Sequence, residues 1–122
     1  MLRVDPRSAV PPYEQVRSQV VAQVEAGQLR PGDRLPPVRR LAGDLGLASG
    51  TVARAYRELE AAGVVVTRGR NGTVVAATGD VTERRAQEAT LEYLGSLRRL
   101  GLGPEDAVRL LREVGDGRPR PA

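Results

Sequence analysis

Two short apolar patterns of the same form, separated by one glycine-bearing turn, constrain this chain more than any other feature. Val38, Leu41, Ala42 and Leu45 stand at i, i+3, i+4 and i+7, and Gly46 ends the run. Val52, Ala55, Tyr56, Leu59 and Ala62 repeat the pattern, and Gly63 closes it. That spacing gathers each set onto one face of an α-helix. Two such helices joined by a turn of about four residues describe a helix-turn-helix.

The flanking sequence extends this unit in a definite order. After Pro11-Pro12, the residues Tyr13, Val16, Val20 and Val24 recur at helical spacing, with Val21 widening the stripe and Gly27 ending it, which predicts a helix over about 12–26. The Gly- and Pro-rich stretch "GQLRPGDRLPP" leaves room only for a short extended piece around Arg34-Leu35. Past Gly63, the β-branched runs "VVVT" and "TVVA" flank "RGRNG", whose Asn71-Gly72 pair is a strong hairpin signal. Three helices followed by a two-stranded hairpin make the winged-helix order, with Arg68 and Arg70 at the tip of the wing.

Helical periodicity returns from Asp80. Ala86, Ala89, Thr90, Tyr93, Leu94, Leu97 and Leu100 share one broad face, Thr82 is the predicted N-cap, and Gly101 stops the helix. Pro104 opens a last helix, with Glu105 and Asp106 in its first turn, where the dipole favours anions, and Val108, Leu111 and Val114 turned inward. These two helices cannot bury their stripes alone. They pack either on the winged domain or on a second copy, a symmetric dimer being the simplest arrangement, with helix 1 of the same chain as the competing support. The tail "GDGRPRPA" is too poor in apolar residues to order itself.

Charge and composition narrow the function. All 19 basic residues are arginine, and the excess over acids is confined to one part of the chain: residues 1–77 hold eleven Arg against seven acids, whereas 78–122 hold eight of each. A polyanion is therefore expected to dock on the first part. Cysteine and histidine are both absent, which removes the ligands of common metal sites and most nucleophile-base pairs. No catalytic residue, metal or cofactor is expected. With no disulfide framework and no apolar run near ~20 residues, the expected setting is the cytoplasm.

In a helix-turn-helix the second helix enters the major groove and its first turn meets base edges. Because Val52, Ala55, Tyr56 and Leu59 must face inward, Ser49, Gly50, Ala53, Arg54 and Arg57 face out, with Thr51 at the boundary. Small side chains there let the backbone approach DNA closely. Ser49 can bond a base or phosphate, Ala53 can touch a thymine methyl, and Arg54 can reach guanine or phosphate; a surface ion pair with Glu58 is the competing role for Arg54. On the preceding helix Arg39 and Arg40 lie near enough to the turn to clamp a phosphate. Arg39 is the preferred contact, since Arg40 has Asp44 at i+4 as a partner.

The segments "YEQV", "GQLRPGDRLP", "RRLAGDLG", "TVARAYRELEAAG" and "TRGRNGT" together resemble the DNA-binding domain of GntR-type transcriptional regulators, over residues 10–79. The short two-helix end is similar to that of the YtrA-like subfamily, in which it serves mainly dimerisation. The resemblance implies DNA contacts from Arg39, from Ser49, Gly50, Thr51 and Arg54, and from Gly69 and its neighbours Arg68 and Arg70. Three positions depart from the family pattern, in two places. Ala48 and Ser49 stand where many members have Ser followed by Arg, and Pro37 stands where a capping serine is common. The operator therefore cannot be borrowed from members that keep that arginine. Larger relatives carry a ligand-binding or aminotransferase-like domain after the wing, and the 43 residues from Asp80 onward can form neither, which counts against a small-molecule effector.

The expected fold is thus mainly α with a small β-hairpin: a winged helix-turn-helix (10–79), a two-helix dimerisation region (80–114) using Tyr93, Leu94, Leu97, Leu100, Val108 and Leu111, and a disordered tail (115–122). The expected function is that of a homodimeric, sequence-specific DNA-binding regulator, a repressor by family analogy, on a near-palindromic operator. A winged helix that docks a protein partner, its basic face incidental, is the alternative.

Overall fold

The computed structural model describes residues 2–77 and 81–117. In chain order the elements are α1 (Pro12–Glu25), β1 (Arg34–Leu35), α2 (Val38–Leu45), α3 (Ser49–Ala61), β2 (Val65–Thr67), a 3₁₀ turn (Gly69–Asn71), β3 (Thr73–Val75), α4 (Val81–Arg99) and α5 (Pro104–Gly115). The expected boundary near residues 79 and 80, and the tail from residue 118, lie outside the described residues.

The two i, i+3, i+4, i+7 sets fold as their spacing dictates. Leu41 and Ala42 from α2 and Val52, Ala55, Tyr56 and Leu59 from α3 are buried, and they meet Val16 and Val20 of α1 with Leu35, Val65 and Val75 in one core. Gly46 makes the turn between α2 and α3 possible. It sits at φ 67°, which a residue with a Cβ adopts only at a cost, and the N–H of Leu47 then closes back on the Ala42 carbonyl at 2.9 Å. Ala62, the last member of the second set, is exposed because it lies past the end of α3 as its C-cap.

The residues before α1 are strapped along it. Leu2 and Val4 pack on the core, while Gln15 and Gln19, one turn apart, bond the strap's backbone: Asp5 N–H donates to Gln15 Oε1 at 2.8 Å and Arg3 N–H to Gln19 Oε1 at 2.9 Å. Periodicity of apolar residues gives no sign of this strap, because amides hold it.

The wing is a three-stranded antiparallel sheet in the order β1-β3-β2. Its turn is the five-residue "RGRNG" connection, and Asn71-Gly72 is its second half rather than a two-residue turn by itself. Thr67 pairs with Thr73, the Arg68 N–H bonds the Gly72 carbonyl at 3.2 Å, and Gly69–Asn71 form the 3₁₀ turn between them. Register explains the unbroken valine runs. Val65 and Val75 pair and face the main core, whereas Val66 and Val74 pair and face the other way, where they join Ala76 and Leu91 of α4 in a second cluster.

That second cluster shows what α4 packs on within the chain: it lies on the wing and its turn, the winged-domain support among the expected arrangements, and not on α1. Leu91, absent from the apolar face predicted by sequence, is its buried anchor, and Leu97 is buried within the chain instead of being free for a partner. Thr82 falls inside the first turn of α4 and is not its N-cap. α5 starts as expected: the Gly103 N–H bonds Asp106 Oδ2 at 2.9 Å.

Candidate nucleic-acid interface

α3 presents its N-terminus to solvent. Ser49 and Gly50 are exposed and Thr51 is half-buried, as the inward commitment of Val52 requires. Ala48 occupies the N-cap position with no side-chain bond to the helix, and the same holds for Pro37 before α2. The first turn of neither helix is capped by a side chain of its N-cap residue, and helix N-termini attract anions.

Between these helix starts and the wing lies a groove of about 540 Å³. Ala53, Tyr56, Arg57 and Glu60 of α3 form one wall, Pro37, Val38 and Arg39 another, and Gly69, Arg70, Asn71 and Gly72 of the wing turn a third. Five arginines line it: Arg34, Arg39, Arg57, Arg70 and Arg98; Glu60 is the one carboxylate among its lining residues. Tyr56 ties two walls together, since its hydroxyl donates to the Pro36 carbonyl at 2.6 Å just before α2 begins. Burial pushes this phenol up to about 12, so it stays a donor at neutral pH.

The model of the family described as bacterial regulatory proteins, gntR family, matches residues 12–75, which are α1, the helix pair and the wing. This chain belongs to the gntR family. It is 52% identical over 115 residues to the HTH-type transcriptional regulator Rv1152 of Mycobacterium tuberculosis, covering 94% of each chain. It is 39% identical over 82 residues to the HTH-type transcriptional repressor YtrA of Bacillus subtilis, covering 67% of this chain and 63% of that one. Among solved structures, YtrA from Sulfolobus acidocaldarius, a GntR-family transcription factor, superposes with a TM-score of 0.60 at 32% identity, over 83% of this chain and 98% of that one. The protein is thus a transcriptional regulator with a DNA-binding winged helix-turn-helix of gntR type.

Within this gntR domain the residues singled out from sequence divide into three groups. Arg39, Gly69 and Arg70 line the groove. Ser49, Gly50 and Thr51 stand at the exposed start of α3, beside but not within it. Arg40 is exposed and, among the described residues, makes no ion pair with Asp44, contrary to the expected i, i+4 partnership.

Two arginines are held away from the groove. Arg54 is drawn toward α1: its Cζ lies 3.7 Å from the centre of the Tyr13 ring, and its Nε is 3.4 Å from Glu58 Oε2. The ring's negative face and a carboxylate one turn on explain that placement. Arg68, expected at the wing tip beside Arg70, instead pairs with Glu88 and, at 3.4 Å, with Glu92 of α4. It secures the wing to α4.

Three groove arginines were not selected from sequence. Arg57 is outward by periodicity, but only the fold turns it toward the wing. Arg34 sits on β1, and its Nη1 donates to the Asn71 carbonyl at 3.2 Å. Arg98 comes from α4, where its Nη2 donates to the Arg70 carbonyl at 3.2 Å. Nothing in local spacing marks these two, because 37 and 28 residues separate them from their partners.

Proposed function

We propose that the protein is a sequence-specific transcriptional repressor that binds a near-palindromic operator as a homodimer. The arginine-lined groove between α3, the start of α2 and the wing carries this reading. With α3 in the major groove, a DNA backbone strand passes between helix and wing, where phosphates meet Arg34, Arg39, Arg57 and Arg70. Ser49, Gly50 and Thr51 then face base edges.

The repressor sense rests on similarity to the YtrA repressor. Dimerisation rests on apolar surface that the described residues leave exposed. Leu100 is 75% exposed, Val108 50%, Leu111 58% and Val114 78%. Tyr93 and Leu94 of α4 are half-buried, so part of their surface remains available as well. A second copy covers such a face symmetrically.

Gel shifts on fragments selected from random DNA, with non-specific competitor at two salt concentrations, test the proposal. A single enriched sequence with two related half-sites about one helical turn apart is expected. Binding without preference over competitor, or a partner protein captured in place of DNA, overturns it.

A further inference from the structure

We infer that Arg98, which α4 carries outside the winged domain, contacts a phosphate of the operator backbone. The inference rests on the DNA-binding reading above.

Four observations converge on it. Arg98 lines the groove with Arg34, Arg39, Arg57 and Arg70; those four lie within the family-matched segment 12–75, whereas Arg98 lies beyond its end. Its guanidinium is exposed, and among the described residues no carboxylate pairs with it. Arg68 lies on the same side of α4 and is neutralised there by Glu88 and Glu92, so Arg98 keeps a charge that Arg68 does not. One of its N–H groups is spent on the Arg70 carbonyl, and a guanidinium has five donors in a fixed fork, which suits a phosphate bridged from the same side.

The helix is brought to this position by Gly95, one turn before Arg98. Gly95 is buried, and a Cβ there would overlap the side-chain amide of Asn71 in the wing turn. Glycine is less favourable than alanine in a helix interior, and its use here lets α4 approach the wing closely. Arg84, Glu88, Leu91, Gly95 and Arg98 form one stripe of α4 at helical spacing. Glu88 pairs with Arg68, Leu91 is buried with Val66 and Val74, and Arg98 reaches Arg70. Together they fix both the wing and the arginine beside it.

A phosphate contact and a strut give different salt dependence. Each phosphate neutralised adds about 0.9 to the magnitude of the slope of log K against log salt. Fluorescence anisotropy on the selected operator, with the full chain and its Arg98→Ala and Arg98→Lys variants, reads this directly. Arg98→Ala is expected to lower the slope by about 0.9 for each bound protomer, and Arg98→Lys, which keeps the charge, to retain it. A weaker Arg98→Ala variant with the wild-type slope shows a strut and overturns the inference, as does Arg98→Lys losing as much slope as alanine. If the wild-type chain binds no DNA, the reading under Proposed function falls and takes this one with it. Wild-type binding with no effect of Arg98→Ala overturns this inference alone.

Discussion

Tyr56 joins stability to the binding surface through a single side chain. Its ring is part of the core, and its hydroxyl holds the Pro36 carbonyl at the entry to α2. Tyr56→Phe keeps the ring and loses the bond, a cost of about 0.5–1.5 kcal/mol at neutral pH, measurable by urea unfolding. The same phenol sets an alkaline limit. An unfolded tyrosine ionises near 10, whereas Tyr56 in the fold is pushed up to about 12 by burial. The fold favours the neutral form, so the contribution is complete below pH 10 and is lost as pH rises from 10 through 12. Unfolding curves across that window are expected to decline less steeply for Tyr56→Phe than for the wild type. Arg39 and Arg54 differ for equally local reasons. Arg39 lines the groove without an ion pair among the described residues, while Arg54 is occupied by Tyr13 and Glu58. Arg39→Ala is expected to weaken binding to every DNA sequence alike and to reduce the salt slope; a loss confined to one operator in binding titrations contradicts a phosphate role.

Among the elements, α4 departs most from what periodicity predicts. Its apolar residues 86, 89, 90, 93, 94, 97 and 100 mark a face that the chain covers only in part: Ala86, Ala89, Thr90 and Leu100 are exposed and Leu97 is buried. The stripe that docks on the wing contains Arg84, Glu88, Gly95 and Arg98, with Leu91 as its apolar anchor. An apolar-periodicity reading passes over such a stripe because charge pairing and a missing Cβ hold it. One signal was available in the sequence. "VVVT" and "TVVA" carry no alternation of polar and apolar residues, which marks strands covered on both faces, and the main core covers only one. Leu91→Ala tests the second cover. Truncating a leucine that is 4% exposed is expected to cost about 2–3 kcal/mol, and hydrogen exchange should show β2 and β3 losing protection as α4 loosens. By contrast α1 matches its predicted range, and α2 and α3 form where their apolar sets stand, since each encodes its buried face in its own spacing.

In the molecule as a whole, the exposed apolar side chains of α5, Val108, Leu111 and Val114, lie far along the sequence from the α2–α3 helix pair. Leu111→Glu places a charge on that face and is expected to shift sedimentation toward monomer and to weaken operator binding steeply. Leu111 is 58% exposed, so the circular dichroism spectrum should stay unchanged. An unaltered sedimentation profile contradicts a dimer formed through this face. Sequence by itself determined the helix pair, the wing order, the lack of a capping side chain at Ala48 and Pro37, and the inward set of α3, because these depend on the spacing of near neighbours and on which side chains can cap a helix. Tertiary structure alone decided where the arginines go. Arg57 and Arg70 turn to one groove, Arg54 and Arg68 turn away to Tyr13, Glu58, Glu88 and Glu92, and Arg34 and Arg98 arrive from distant parts of the chain. The reason is physical: a long, flexible cation takes its direction from whichever carboxylate, ring or carbonyl the fold sets beside it, and those neighbours are remote in sequence.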